Sequence, residues 1–312
     1  MRSTRLIGAL LVFAGVSGAV ANAQIKWGTD AKAGIDQAKT QLKPLMFYVL
    51  GRTADRDRDI ERDQIRAFQD PRVIEMAKKF ITVRMSRSVH RDLLRDWGVP
   101  DRATMWVVFA DGQGRLLGDP LGATGVAVAD SLAQRMALSF QAFRRTLFDE
   151  VLREKLTNAE TSEADIRTAL GLVEEDTITV ADEIIVELLK REKLEDATRA
   201  KAVSALAKLS SKPAVEELFR LALAKDAAAT ERLGKITPTG AEYLLPELEG
   251  GKAAERIVAY TAVVASCKIK SRKPEEFWTS QPAKTQEAEI ERVSKAVKKA
   301  AENWRDHYEP YY

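Results

Sequence analysis

Cysteine is almost absent from this chain. Its 312 residues include one, Cys267, so no disulfide can form within the chain and no pair of its own thiols can exchange one. Cys267 ends an apolar helical stretch over residues 257–267, where a buried structural thiol is expected. Histidine is nearly as scarce. His90 and His307 lie far apart in sequence, without Cys or Glu at ligand spacing, and no metal site is expected from them. His90 falls among Arg87, Arg91 and Asp92, as at an exposed helix start. Gly-x-Ser-x-Gly and glycine-rich phosphate loops are missing, and no Ser-His-Asp arrangement suggests itself. No cofactor is expected, and catalysis has no visible carrier. Aromatics are sparse at ten Phe, five Trp and six Tyr, which suits Ala/Leu-rich helical packing better than a β-sandwich.

What is present is ordinary for a soluble globular protein: 45% hydrophobic and 30% charged residues, in a chain long enough for two cores. The N-terminus is less ordinary. Met1-Arg2-Ser3-Thr4-Arg5 is followed by an apolar run over residues 6–20 and by Ala21-Asn22-Ala23 before Gln24. A basic start, an apolar run too short for the about 20 residues of a bilayer span, and an Ala-x-Ala end form a cleavable secretory signal. Residues 1–23 are therefore read as a signal peptide cut after Ala23, giving a periplasmic or secreted protein with no stable membrane span. Cleavage would remove Arg2 and Arg5 and no acid, leaving a net charge of +1. That balance implies no basic surface for nucleic acid.

The first half alternates helix and strand patterns. Residues 30–42 have helical spacing. Pro44 to Leu50 is a continuous apolar run that suits a strand buried on both faces. Asp70-Pro71 opens a helix as cap and first-turn proline. A second strand is expected at 80–85, a short helix at 89–97 and a third strand at 104–110. Asp111-Gly112-Gln113-Gly114 is read as a hairpin turn into residues 115–118, ahead of a long helix at 126–156. Lys43-Pro44 before a buried strand, Asp70-Pro71-x-Val73, Phe80-Ile81-x-Val83, Trp97-Gly98-Val99 and Phe109-x-Asp111-Gly112 stand in the order of landmarks in thioredoxin-like domains. Residues 25–148 thus resemble that family, most of all its exported or envelope versions. The resemblance implies an α/β thioredoxin-like N-terminal domain over 24–156, with a central mixed sheet flanked by helices.

It also implies a Cys-x-x-Cys pair at the helix after the first central strand, and here the sequence departs from the family. The corresponding stretch, residues 51–58, contains no cysteine; Ala54 and Asp57 align with the thiols. The family's cis-proline aligns with Ala103, before Thr104. Disulfide exchange is not available to such a domain. A groove for extended peptides beside the sheet would fall near Asp55, Asp57, Asp59, Arg102, Ala103 and Thr104, the candidate binding residues. The plainer reading of Asp55 to Asp63 is a solvated helix start, with acids favoured by the helix dipole and neutralised by neighbouring arginines. A calcium loop is not supported there: its sixth and twelfth positions would be Ile60 and Arg66 instead of Gly and Glu.

After residue 157 strand-like alternation stops. Apolar stripes at Ile178–Leu189, Ala200–Leu209, Val215–Ala222, Tyr243–Leu248 and Ile257–Val264 belong to successive helices joined by short breaks. Thr198-Arg199, Glu231-Arg232 and Glu255-Arg256 are read as starts of related segments, a spacing that resembles degenerate HEAT-like repeats. An all-α helical-repeat solenoid over 157–312 is expected, with a plain helical bundle as the alternative. Pro274 and Pro282 are expected to bracket a loop carrying Phe277 and Trp278. A last helix over 284–306 leads into an aromatic tail of Trp304, His307, Tyr308, Tyr311 and Tyr312, read as capping that helix.

These readings point to a non-catalytic, redox-inactive interaction or scaffolding protein whose partner is another envelope or secreted protein. The competing class is a thioredoxin-like enzyme or redox accessory using non-cysteine chemistry or a partner-supplied thiol. Contact with cell-wall polymer is more remote, since Phe277 and Trp278 are the only candidates for sugar stacking before the tail.

Overall fold

The structure is a computed structural model that describes residues 24–50, 66–100, 105–270 and 272–308. The expected signal peptide and all six candidate binding residues, Asp55, Asp57, Asp59, Arg102, Ala103 and Thr104, lie outside the described residues.

An α/β region comes first. Asp30 caps α1 (Ala31–Gln41) by accepting from the Ala33 amide at 3.0 Å. The apolar run forms β1 (Leu45–Leu50), followed by α2 (Pro71–Ala77), β2 (Ile81–Ser86), α3 (Arg91–Asp96), β3 (Trp106–Ala110) and the short β4 (Leu121–Gly122). The sheet is mixed, in the order β2-β1-β3-β4, with β1 parallel to β2 and antiparallel to β3. As the most central apolar strand, β1 feeds both faces. Leu45, Phe47 and Val49 pack with α1 and α3, while Met46 and Tyr48 point to the α2 side. The continuous apolar run thus hides a period of two. Beyond β2, Gly28 bridges to the edge: its amide donates to the Thr82 carbonyl at 2.9 Å and its carbonyl accepts from the Arg84 amide at 2.7 Å.

Asp70 caps α2 as expected, accepting from the Arg72 amide at 2.9 Å. The hairpin is only partly formed. Asp111 makes the turn, its carboxylate accepting from the amides of Gln113 and Arg115 at 2.8 and 2.9 Å. Residues 115–118 then contribute one bridge, Leu116 to Ala110, and the return strand pairs three residues later at Leu121–Gly122. Gly118, at φ 122°, takes a conformation that turns the chain out of the ladder.

A helical region follows. After α4 (Ala123–Val126), α5 (Ala129–Leu147) runs through a π-turn (Phe148–Leu152) into α6 (Arg153–Thr157). Then come α7 (Glu163–Asp176), α8 (Asp182–Leu189), α9 (Asp196–Leu209), α10 (Lys212–Leu223), α11 (Ala227–Leu233), α12 (Pro238–Ala241), α13 (Leu245–Gly250), α14 (Ala253–Ser266), α15 (Glu275–Ser280) and α16 (Ala283–Tyr308). Breaks between them are short because caps abut: Ser210 ends α9 in the left-handed region and Ser211 caps α10 by accepting from the Ala214 amide.

Two sequence expectations need correction. Glu231-Arg232 lies at the end of α11, whereas Thr198 and Glu255 lie in the first turns of α9 and α14. The three dipeptides therefore do not mark one position of a repeat. Phe277 and Trp278 stand on the short helix α15, not in a loop, and Trp278 is buried against Tyr260, with ring centroids 4.8 Å apart. Its ring is spent on the core and is not offered to a sugar. One apolar cluster runs from the α2 face of the sheet through α5 to α16, so the two regions share a core. Among the described residues no helix is long and apolar enough to cross a membrane.

Candidate interaction cleft

The register that sets the sheet also brings the flanks of the sequence-predicted site together. Val49 pairs with Trp106, so Leu50 and Met105 stand at the same end of the sheet. The Tyr48 hydroxyl lies 3.6 Å from the Met105 sulfur there. The rings of Trp27, Tyr48 and Phe68 form a triangle with centroids 5.1–5.5 Å apart. No cis peptide occurs among the described residues.

A different site is fully described. A cleft of about 1280 Å³ separates α5 from the ends of α9, α11 and α16. One wall is the outer face of α5, where Asp130, Gln134, Ala137, Leu138 and Gln141 recur at helical spacing. Leu138 is 53% exposed and adds apolar surface to that wall. The opposite wall is built where helices end. The Ser210 hydroxyl donates to the Ala207 carbonyl at 2.6 Å and accepts from the Thr237 amide at 2.9 Å, tying the end of α9 to the start of α12. Gly240 permits that approach, because a Cβ there would stand 2.8 Å from the Ser210 Cβ. Thr237 caps α12, accepting from the Gly240 amide at 3.1 Å. Leu209 and Ile236, both buried, close the floor, and Trp304 of α16 completes the rim.

The cleft carries more positive than negative side chains: Arg72, Arg144, Lys208 and Lys235 against Asp130 and Asp306. Arg72 is engaged with both Asp70 and Asp130, and Lys235 pairs with Glu231. Arg144 is buried, lies 5.1 Å over the Phe140 ring, and donates to the carbonyls of Asp176 and Thr177 at 3.1 and 3.0 Å. Burial draws its pKa down, with the Asp176 charge acting the other way. The lining thus offers apolar surface, side-chain amides and hydroxyls, and a basic bias. No group of His, Cys, Asp and Glu placed to hold a metal ion occurs among the described residues.

Sequence reasoning missed this cleft, because its walls come from six separated stretches. Two local signals did exist: an unshielded Leu138 between Gln134 and Gln141 on α5, and the Thr237-Pro238 helix start. No family model, curated protein or solved structure matches the chain, so the site is read from its own geometry.

Proposed function

We propose that this chain is a non-catalytic binding protein of the bacterial envelope, a thioredoxin-like domain without a redox pair joined to a helical-repeat domain, that takes an extended segment of a partner protein into the cleft. The cleft carries the reading. At about 1280 Å³ it exceeds the roughly 300–1,000 Å³ of small-molecule pockets, and it is an open trough. Gln134 and Gln141 can meet both backbone N–H and C=O groups. Leu138, Leu209 and Ile236 suit apolar side chains, and the basic bias suits an acidic segment. The mixed sheet with helices on both faces supports the thioredoxin-like assignment. The succession of short-linked helices supports the repeat assignment. The N-terminal pattern Arg2 to Ala23 supports export.

The test is capture from a displayed library of random peptides by residues 24–312, beside the same chain carrying Leu138→Glu. The whole chain is used because the core crosses both regions. Acid-rich peptides with apolar residues should be retained by the parent and lost by the variant. Retention of the same peptides by both chains, or by neither, would refute the reading.

A further inference from the structure

A short strap runs along the free side of β2. From Gln24 to Gly28 exposure alternates: Gln24, Lys26 and Gly28 are exposed, Ile25 and Trp27 half-buried. That is the period of an extended segment with one face on the protein. Ile25 and Trp27 pack against the main apolar cluster, and the Trp27 ring lies 5.5 and 5.2 Å from those of Tyr48 and Phe68. The Thr82 hydroxyl donates to the Lys26 carbonyl, and Gly28 bridges to β2. The backbone is thus fastened from Lys26 onward. Gln24 is exposed, and its side chain makes no hydrogen bond or ion pair among the described residues. It stands at the lip of a hollow of about 1100 Å³ lined in part by Ile74, Ala77, Phe80 and Ile81.

We propose that Gln24 is a modification site, closed into a pyroglutamyl ring that caps the strap. This rests on the reading of residues 1–23 as a signal cut after Ala23, which gives Gln24 a free α-amine. The amine nitrogen attacks Cδ of its own side chain and forms a lactam. The Cδ–Nε2 bond breaks, an amine proton passes to the leaving nitrogen, and ammonia departs. The step needs no oxidant, reductant or second substrate. The unheld side chain is free to rotate into the ring. The product is neutral, and beside an apolar hollow a neutral ring is desolvated at less cost than an ammonium. Chain ends are where proteolysis concentrates, and aminopeptidases require the amine that the ring removes. Without the cap, trimming past Gln24 takes Ile25 from the core and then reaches the Lys26 anchor.

Mass spectrometry tests this on the whole chain, residues 1–312, exported by a bacterial host and purified from its envelope fraction. Gln24→Asn is the control, because its side chain is one methylene too short to close the lactam. The parent should begin at Gln24 and be lighter than the linear sequence by about 17 Da, the mass of ammonia. The variant should begin at the same position with its linear mass. A linear Gln24 in the parent would overturn the inference and leave the export reading standing. An uncut chain, or one cut elsewhere, would overturn both. An aminopeptidase should then leave the parent intact and remove one or two residues from the variant, lowering its urea midpoint. Equal trimming of both chains would overturn the protective role of the ring.

Discussion

The ammonium of Lys79 lies 2.9 Å from the backbone carbonyl oxygen of Glu175, across 96 positions of sequence. It also stands 3.7 Å from the Asp176 carboxylate, which is only 6% exposed. Lys43 approaches the Glu175 side chain at 3.6 Å, and Arg144 donates to the carbonyls of Asp176 and Thr177. The C-terminal end of α7, where the helix dipole is negative, thus receives cations from the sheet region and from α5. This charge, added to the shared apolar core, joins the two regions.

Lys79→Met keeps the aliphatic stem and removes the charge. The loss should be about 1 kcal/mol, the net worth of one hydrogen bond, since the half-exposed ammonium is partly screened. Urea denaturation followed by far-UV circular dichroism measures it. An unchanged midpoint would show that Lys79 does not link the regions.

Two buried acids should respond to pH with opposite sign. Burial raises the Asp176 pKa above its ordinary 3.8, and the opposing pull of Lys79, Lys43 and Arg144 does not cancel it. A raised folded-state pKa means that the unfolded chain releases the proton more easily, so this group weakens folding as pH climbs past 3.8. Glu289 is buried too, but the Arg292 guanidinium and the Tyr260 hydroxyl, 2.7 Å away, outweigh burial and hold it below 4.5. Its contribution is present above 4.5 and is lost as pH falls through the folded value. At pH 7 Asp176→Asn should be at least as stable as the parent, the gap closing near pH 4. Glu289→Gln should lose about 1–3 kcal/mol at pH 7, the usual worth of hydrogen bonds to a charge, and less near pH 4. Urea midpoints at pH 7, 5 and 4 decide; a Glu289→Gln deficit that grows on acidification would contradict the assignment.

What the sequence disclosed follows from what is local. Asp30 and Asp70 were legible as caps, because a cap is a contact over two or three residues. The run Pro44 to Leu50 was legible as a doubly buried strand, because both its faces are apolar. The second strand of the hairpin was misplaced because Leu121–Gly122 has too few residues to show alternation. Trp278 looked exposed because two prolines bracket it, while its burial depends on Tyr260, far back in the chain. The cleft was illegible for the same reason: Leu138 and Trp304 are ordinary helical residues, and Ser210 and Ile236 ordinary residues of the breaks between helices, until the fold brings them together.

Gly34 sets the distance between α1 and the sheet. A Cβ at this position would lie 2.5 Å from Val83 Cγ2 and 3.6 Å from Leu45 Cδ2, both on fully buried side chains. Helix propensity alone favours Gly34→Ala by up to about 1 kcal/mol. Overpacking a filled core costs about 1–3 kcal/mol, so packing should prevail. Gly34→Ala should destabilise modestly and Gly34→Val by about 2 kcal/mol or more. Thermal unfolding followed at Trp97, which packs on the same face of the sheet, reads the effect. A stabilised Gly34→Ala would mean that α1 can move away from β2 at little cost.

Cys267 is the remaining reactive group. It forms the C-cap of α14, half-buried, with the Ser266 hydroxyl 3.8 Å from its sulfur. Burial pushes the thiol pKa up, the nearby Glu242 charge adds to that, and the Ser266 hydrogen bond only partly offsets it. The thiolate is the nucleophile, so a raised pKa and restricted access both slow attack. At pH 8 an aromatic disulfide reagent should modify the folded chain at least tenfold more slowly than the urea-unfolded chain. Cys267→Ser should leave peptide capture unchanged. Fast modification of the folded chain, together with capture lost in Cys267→Ser, would instead make this thiol a handle for a redox partner and turn the function toward exchange chemistry.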